Sequence, residues 1–337
     1  MPPKTAVLLV NIGTPDSCSV TDVRKYLKEF LSDPRVFDPP WYIKYPLLYT
    51  VILPFRSPVV ARAYKEILTN RGLPLHYHSE DIKNALQYEL GNSYQVYFAM
   101  NYGNPSLSHT LEMIQKDVCE KLVIVPLFPQ YAGATTGSAI EKIFNIISNW
   151  QIIPKIHFVS DFYSHPGFIH ANIEICKTFI NSSFDHFLFS FHGLPEHQIK
   201  KADLTDYCKF NNECCSVITS RNRYCYRASC YQTVKLIAEP LGFTAENYSV
   251  CFQSRFGKKP WLKPYIDEHL ENLVKKGVKR LLVSCPSFVS DCLETIHEVG
   301  EEYKELFLKK GGVDFQLVPC LNSHPAWVKG LAEIVGN

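Results

Sequence analysis

His192 closes the apolar run in DHFLFSFHGLP and is followed by Gly193 and Pro195. An imidazole titrating near its ordinary pKa of about 6.5 accepts a proton or binds a metal. The plainer reading is a strand-end histidine bonded to a backbone carbonyl. A second group follows about a hundred residues later, where SFVSDCLETIHEVGEEY carries Asp291, Glu294 and Glu298 at spacings of three and four. Those spacings stack the carboxylates along one face of a helix. Three anions on one face repel each other unless they are solvated, or unless a cation or proton passes there. A solvated acidic first turn favoured by the helix dipole is the alternative, and it suits Glu301 and Glu302. Glu294-x-x-His297 is half of a carboxylate–histidine dinuclear motif, and no second half is present, which argues against a dinuclear centre.

Residues 208–230 read CKFNNECCSVITSRNRYCYRASC and hold five of the twelve cysteines, spaced C-x5-C-C-x9-C-x4-C. In a long chain opening MPPKTAVLLVN, whose only early apolar run is strand-sized, no secretory signal is expected. Reduced thiols and a cytoplasmic setting are the default, so clustered cysteines read as metal ligands before bridges. The other seven cysteines are scattered and read as small buried apolar residues.

The elements that must position these groups follow from periodicity. Ala6–Val10, Gln95–Met100, Lys121–Pro126 and Lys155–Val159 are short apolar runs of strand type, as are Phe187–Phe191, Tyr248–Phe252, Arg280–Cys285 and Phe315–Val318. Helical patterns such as Val20–Leu31 separate them. Continuous apolar strands joined by helical crossovers predict parallel sheets covered on both faces. With 337 residues the expectation is two α/β domains, 1–165 and 166–337, the second carrying the cysteine-rich insert 208–230. No residue-level repeat relates the halves. Ligands of such sheets sit beyond the carboxyl ends of the strands, in NIGTP, NYGNP, FPQYAGATTGS, HGLP, QSRFG and CPSFVSDCLET. None of these is a dinucleotide or nucleoside-triphosphate loop. Lys plus Arg is 35 against Asp plus Glu 33, too balanced for a nucleic-acid partner. The greasiest stretch, YPLLYTVILPF, is short and interrupted by Pro46 and Pro54, so it is no membrane span.

Taken together, LLVNIGTP, FPQYAGATTGS, SFHGLPE, QSRFGKKPWLKPY and SFVSDCLETIHEVGEEYKE resemble the ferrochelatases, which insert ferrous iron into a porphyrin. The resemblance runs from Lys4 to about Ile334. It implies two Rossmann-like, chelatase-type domains without a nucleotide, and a porphyrin held in the cleft between them. It matches His192 to the family's active-site histidine and Glu294 to its active-site glutamate, with Asp291 and Glu298 as acidic partners on a π-helical segment. The chemistry agrees. A porphyrin must lose two pyrrole protons and admit a divalent cation, which calls for a base, here His192, and an anionic track, here Glu294, Asp291 and Glu298. His192 and Glu294 are the residues expected to face the Fe²⁺ substrate. The segment VFDPPWYIKYPLLYTVILPFRSP resembles the active-site lip, with Trp41, Tyr45, Leu53 and Phe55 as walls, and a transient membrane-surface contact is compatible with it. Arg56 matches a propionate-facing position, Tyr131 and Thr136 match pocket positions, and Trp261 matches a pocket-edge tryptophan.

Ile12 follows Asn11 where coproporphyrin-using members carry a tyrosine, and protoporphyrin-using members an aliphatic residue or methionine; protoporphyrin IX is the expected substrate. Cys292 stands where histidine is frequent, which removes one candidate ligand. Family members with a similar insert imply a [2Fe–2S] cluster on four thiolates, here Cys208, Cys215, Cys225 and Cys230, with Cys214 as the alternative to Cys215. Adjacent Cys214 and Cys215 would diverge in extended backbone, leaving one spare. Arg221, Arg223 and Arg227 nearby suit an anionic thiolate assembly, while a zinc site and a metal-free loop are the alternatives. The rival enzyme readings are a coproporphyrin III ferrochelatase and a cobalt chelatase of the same fold. A haem or porphyrin carrier is the non-enzymatic one, and it would need no carboxylate track.

Overall fold

The computed structural model describes residues 4–180, 184–257 and 259–336; Lys258 of the QSRFGKKP segment lies outside them. Residues up to Phe128, Ala132–Ser160 and those from Ala332 onward form one compact unit, and Pro129–Tyr131 with Asp161–Leu331 form a second.

In the first unit, β1 (Thr5–Thr14), β2 (Tyr94–Gly103), β3 (Lys121–Pro126) and β4 (Lys155–Phe158) make a parallel sheet in the order β2-β1-β3-β4. In the second, β5 (His186–His192), β6 (Tyr248–Gln253), β7 (Arg280–Ser284) and β8 (Asp314–Leu317) repeat the plan as β6-β5-β7-β8. All eight runs expected from the sequence are strands. β1 is longer than its apolar core and carries Ile12 at its carboxyl end. The central strands are dry on both faces: Val7, Leu8, Leu9 and Val10 are all 0% exposed. Leu8 and Val10 pack with Leu107, Leu111, Ile143 and Ile147 on one face of the first sheet. In the second sheet Leu188, Cys251 and Val283 meet Ile266, Leu270 and Phe307, and the alternate residues Phe187 and Phe189 stack on the opposite face with Phe243. This is the side-chain alternation of a strand buried on both sides.

The expected helix at Val20 spans Val20–Ser32, and Ser19 caps it by accepting from the Asp22 N–H at 3.0 Å. Among the described residues no helix is long and apolar enough to cross a membrane.

In each sheet the chain leaves the first strand to one side and returns on the other. The crevice therefore opens at the carboxyl ends of β1 and β3 in the first unit, and of β5 and β7 in the second. Although no repeat is visible in the residues, the two units share this switch point.

Candidate active site

His192 is the last residue of β5, and its ring is held from behind. Nδ1 lies 2.6 Å from the Gly193 carbonyl oxygen. A carbonyl only accepts, so Nδ1 carries a proton, and in the neutral tautomer Nε2 holds the lone pair. The main chain of His192 is also held on both sides: its N–H donates to Ser287 Oγ at 3.3 Å, and its carbonyl accepts from the Tyr226 hydroxyl at 2.8 Å. Gly193 is needed for the loop to close, because a Cβ there would stand 2.8 Å from the Gln253 carbonyl oxygen and 3.3 Å from the Trp261 ring. Its N–H donates to that same carbonyl at 2.9 Å. Trp261 and Phe288 flank the imidazole with ring centroids 6.5 and 6.3 Å away. The Trp261 loop is tied to HGLPE through Leu262 N–H to the Leu194 carbonyl and Glu196 N–H to the Pro260 carbonyl, at 2.9 and 3.0 Å.

The acidic segment follows β7. Glu294–Tyr303 is a ten-residue π-helical run. Its i→i+5 bonding widens the turn, yet residues four apart still share a face, so Glu294 and Glu298 stay together. The Glu298 carboxylate accepts from Ser254 Oγ at 2.6 Å and from the Tyr303 hydroxyl at 3.2 Å. Ser254 reaches it from a left-handed backbone, φ 66°, uncommon for a residue with a Cβ. Burial pushes the Glu298 carboxyl above its ordinary range, and the negative field of Glu294 adds to this, while Ser254, His192 and Tyr303 oppose it. Three of the four titratable groups expected from the sequence are thus linked, with Glu298 within electrostatic reach of both His192 and Glu294. Gln253, which supports Gly193, also donates from Nε2 to the Glu294 main-chain carbonyl at 3.3 Å.

Asp291 is used differently. It accepts from Asn322 Nδ2 at 2.7 Å, Cys320 N–H at 3.1 Å and Thr295 Oγ1 at 3.2 Å, so its oxygens anchor the start of the acidic helix to the Cys320–Asn322 loop. Cys292 is buried beside it, with burial pushing its thiol well up. His297 pairs with Glu302 at 3.6 Å.

The remaining pocket candidates fall as follows. Tyr131 is half-buried in the second unit and meets Tyr224 edge-on, with centroids 6.0 Å apart. In the first unit Ile12 is half-buried, Arg56 is exposed, and Thr136 is fully buried with no hydrogen-bond partner for its hydroxyl among the described residues. The segment that resembles a lip runs from Trp41 through a π-helical turn at Leu48–Ile52 into the helix Leu53–Glu66. Trp41, Tyr45 and Phe55 are exposed, Trp41 and Phe55 by 74% and 71%, whereas Leu53 turns inward against Leu48 and Ile52 with Leu27 and Leu31.

In the cysteine segment, Cys208, Cys214, Cys215 and Cys225 gather with Ala228 and Tyr231 in a small apolar cluster of their own. Cys214 and Cys215 do not diverge: they share a 3-10 turn, Glu213–Cys215, and their sulfurs are 3.8 Å apart. The Cys225 thiol is pulled down chiefly by its hydrogen bond with Cys215, which is correspondingly pushed up. Arg227 is buried beside Cys215, but Arg221 stacks on Tyr207 at 4.5 Å and Arg223 pairs with Asp161 at 3.7 Å. Cys230 sits a turn further along the helix Tyr226–Ala238, fully buried and in contact with Tyr226. Among the described residues no set of three or more His, Cys, Asp or Glu side chains is arranged to hold a metal ion. The four thiols are close-packed, with Cys215 joined to Cys214 and to Cys225 by thiol hydrogen bonds.

Sequence reasoning did not find Ser254, Tyr226, Ser287 or Gln253. The strand-end position of QSR after β6 was the available signal for Ser254 and Gln253; nothing local marked the other two.

Glu298 yields a pH-dependent expectation. A carboxyl raised in the folded state binds its proton more tightly there than in the unfolded chain. Its contribution to stability is full below about pH 4.3, the unfolded value, and is lost as pH rises through the folded value. Glu298→Gln removes the buried charge and keeps an acceptor for Ser254. Melting curves should show the variant gaining on the wild type as pH rises above about 4.3, with the gap closing on acidification; a gap that is constant or widens on acidification contradicts the assignment.

The ferrochelatase family profile matches residues 4–337. A ferrochelatase of Legionella pneumophila (strain Lens) is 47% identical over 332 residues, covering 98% of each chain. One of Coxiella burnetii (strain CbuK_Q154) is 41% identical over 335 residues, covering 98% of this chain and 93% of its own. Among solved structures, SirB from Bacillus subtilis with Fe³⁺ superposes with a TM-score of 0.53 at 12% identity, covering 98% of this chain and 93% of its own. That likeness is one of fold. With a whole-length family match and such relatives, the chain belongs to the ferrochelatase family.

Proposed function

We propose that this ferrochelatase takes protoporphyrin IX as its porphyrin and uses His192 as the base that receives the pyrrole protons. As a member of its family the chain is a metal-chelating lyase of haem biosynthesis, with Fe²⁺ as a substrate. The observation that carries the reading is the His192 ring itself. With Nδ1 bonded to the Gly193 carbonyl at 2.6 Å, Nε2 is the ring nitrogen left to accept a proton. Glu294 is the carboxylate facing the metal. Glu298, held above the ordinary carboxylate range by burial, can take up a proton from the His192 side and release it. Asp291 contributes by fixing the start of the acidic helix through its three donors. A porphyrin carrier would gain nothing from burying a carboxylate beside a histidine.

Substrate choice rests on Ile12, an apolar side chain at the carboxyl end of β1 with no hydroxyl to offer metal or water. It suits a vinyl-bearing macrocycle. Arg56, Tyr131, Thr136 and Trp261 are proposed pocket residues, and the exposed Trp41, Tyr42 and Phe55 suit contact with a membrane surface. All twelve cysteines are free, in keeping with a reducing compartment such as the cytoplasm.

The cysteine segment is proposed to take a [2Fe–2S] cluster. Cys208, Cys215, Cys225 and Cys230 would supply the four thiolates, with Cys214 as the alternative to Cys215; Cys208, Cys214, Cys215 and Cys225 already pack together, and binding energy would add to the folding energy of the segment. Such a cluster supplies one-electron redox capacity or structural bracing.

Three measurements test these assignments. In an anaerobic assay of porphyrin fluorescence loss with Fe²⁺, His192→Ala should lose about 10²–10⁴-fold in kcat with the fold intact. Near-normal insertion by that variant removes His192 as the base. In parallel assays protoporphyrin IX should show the higher kcat/KM, and a clear preference for coproporphyrin III refutes the role given to Ile12. Protein purified without oxygen should contain iron and acid-labile sulfide in equal amounts; colourless active protein lacking both excludes the cluster, and zinc in their place assigns a zinc site.

A further inference from the structure

Tyr226 begins the helix Tyr226–Ala238 directly after its N-cap, Cys225. Its side chain is buried, 7% exposed, and only the phenol oxygen reaches the β5 loop, donating to the His192 carbonyl at 2.8 Å. Burial pushes the phenol well above its ordinary range, so the hydroxyl remains a donor. The same hydroxyl neighbours Ser287 Oγ, which receives the His192 N–H, and the Cys230 thiol. The two peptide groups flanking His192 are thus held by two elements. One is the loop after β7. The other is the helix whose first residue adjoins the thiol cluster, where Cys225 hydrogen-bonds Cys215. The His192 ring is tied to this backbone by Nδ1 to the Gly193 carbonyl, so a shift of the peptide carries the ring with it.

We propose that Tyr226 is a positioning residue that couples the state of the cysteine segment to His192. The inference rests on the reading of His192 as the base, and it adds a route by which thiols outside the pocket reach that base. A change at Cys225 moves the first helical turn, Tyr226 transmits the movement to the His192 carbonyl, and Nε2 is displaced from its line to the substrate. Displacements of this kind, of the order of 1 Å, cost up to about 10²-fold in rate.

The test uses Tyr226→Phe, Cys225→Ser and the double variant in the full-length protein as purified. Tyr226→Phe should lower kcat about tenfold or more while leaving KM for porphyrin within about twofold. The double variant should be no slower than the slower single one, because both changes act through one contact. Cys215→Ser, which leaves the helix N-cap in place, takes the place of Cys225→Ser if the latter does not fold. Independently of activity, the ¹⁵N resonances of the His192 ring, assigned with His192→Ala, should move in both single variants without substrate. Unchanged kcat in Tyr226→Phe, fully additive losses, or unmoved ring resonances overturn the coupling. If His192→Ala keeps its activity, kcat no longer reports on the coupling and the ring resonances alone decide it; their response then leaves the coupling standing while the base assignment fails.

Discussion

The hydrogen bond from His192 Nδ1 to the Gly193 carbonyl decides which ring nitrogen keeps a lone pair, and much of the second unit supports it. The bond needs a loop that turns back on itself at once, which is why residue 193 carries no Cβ: the Gln253 carbonyl and the Trp261 ring occupy that space. Gln253 in turn is placed by pairing of β6 with β5, and His192 is its register partner. The tautomer is therefore set by the sheet through two residues of backbone rather than by a partner carboxylate. This leaves the nearby carboxylates free for another task.

Those carboxylates come from the other side of the switch point. The chain leaves β7, passes Ser287 and Phe288, and enters the π-helical run that carries Glu294 and Glu298. Placing a second carboxylate within the field of the first, and burying it, works against ionisation; Ser254 and Tyr303 offset part of that cost with hydrogen bonds. The outcome is a buried carboxyl held above its ordinary range within the field of His192. This suits a reaction that releases two protons without leaving a stranded charge. The first sheet has the same strand order, and its own switch-point segments, ending β1 and following β3, carry apolar and hydroxyl side chains where the second sheet's carry carboxylates.

The cysteine segment is energetically a satellite. Its thiols pack with Tyr207, Ile218, Ala228 and Tyr231 as a separate small cluster, and Arg227 spans it by donating to the Asn211 carbonyl at 2.8 Å. So small a core contributes little stability by apolar burial alone, and hydrogen-bonded thiols and one buried guanidinium hold it. The helix that ends this segment is also the one that touches His192 from behind, so the satellite is not isolated from the site.

The eight strands were legible in the sequence because a parallel strand buried on both faces must be apolar throughout, and such runs leave few alternatives. His192 and the Glu294–Glu298 pair were legible for a related reason: a strand terminus and a four-residue spacing are local properties, and the spacing survives the change from α to π geometry. The shared strand order of the two units was not visible, since topology is maintained by the pattern of burial and not by residue identity. What tertiary structure alone decided was the use of each polar atom. Asp291 has the same spacing credentials as Glu298, yet Cys320 and Asn322, some thirty residues away in sequence, occupy its oxygens. Cys214 and Cys215 converge because the backbone there turns in a 3-10 helix instead of extending. Ser254 reaches Glu298 only from a left-handed φ, and Tyr226 reaches His192 only because β5 and a helix thirty-four residues later are neighbours. Residue types and spacing determine which groups can titrate or ligate; which of them keep a free lone pair depends on partners that only the folded chain brings within 3 Å.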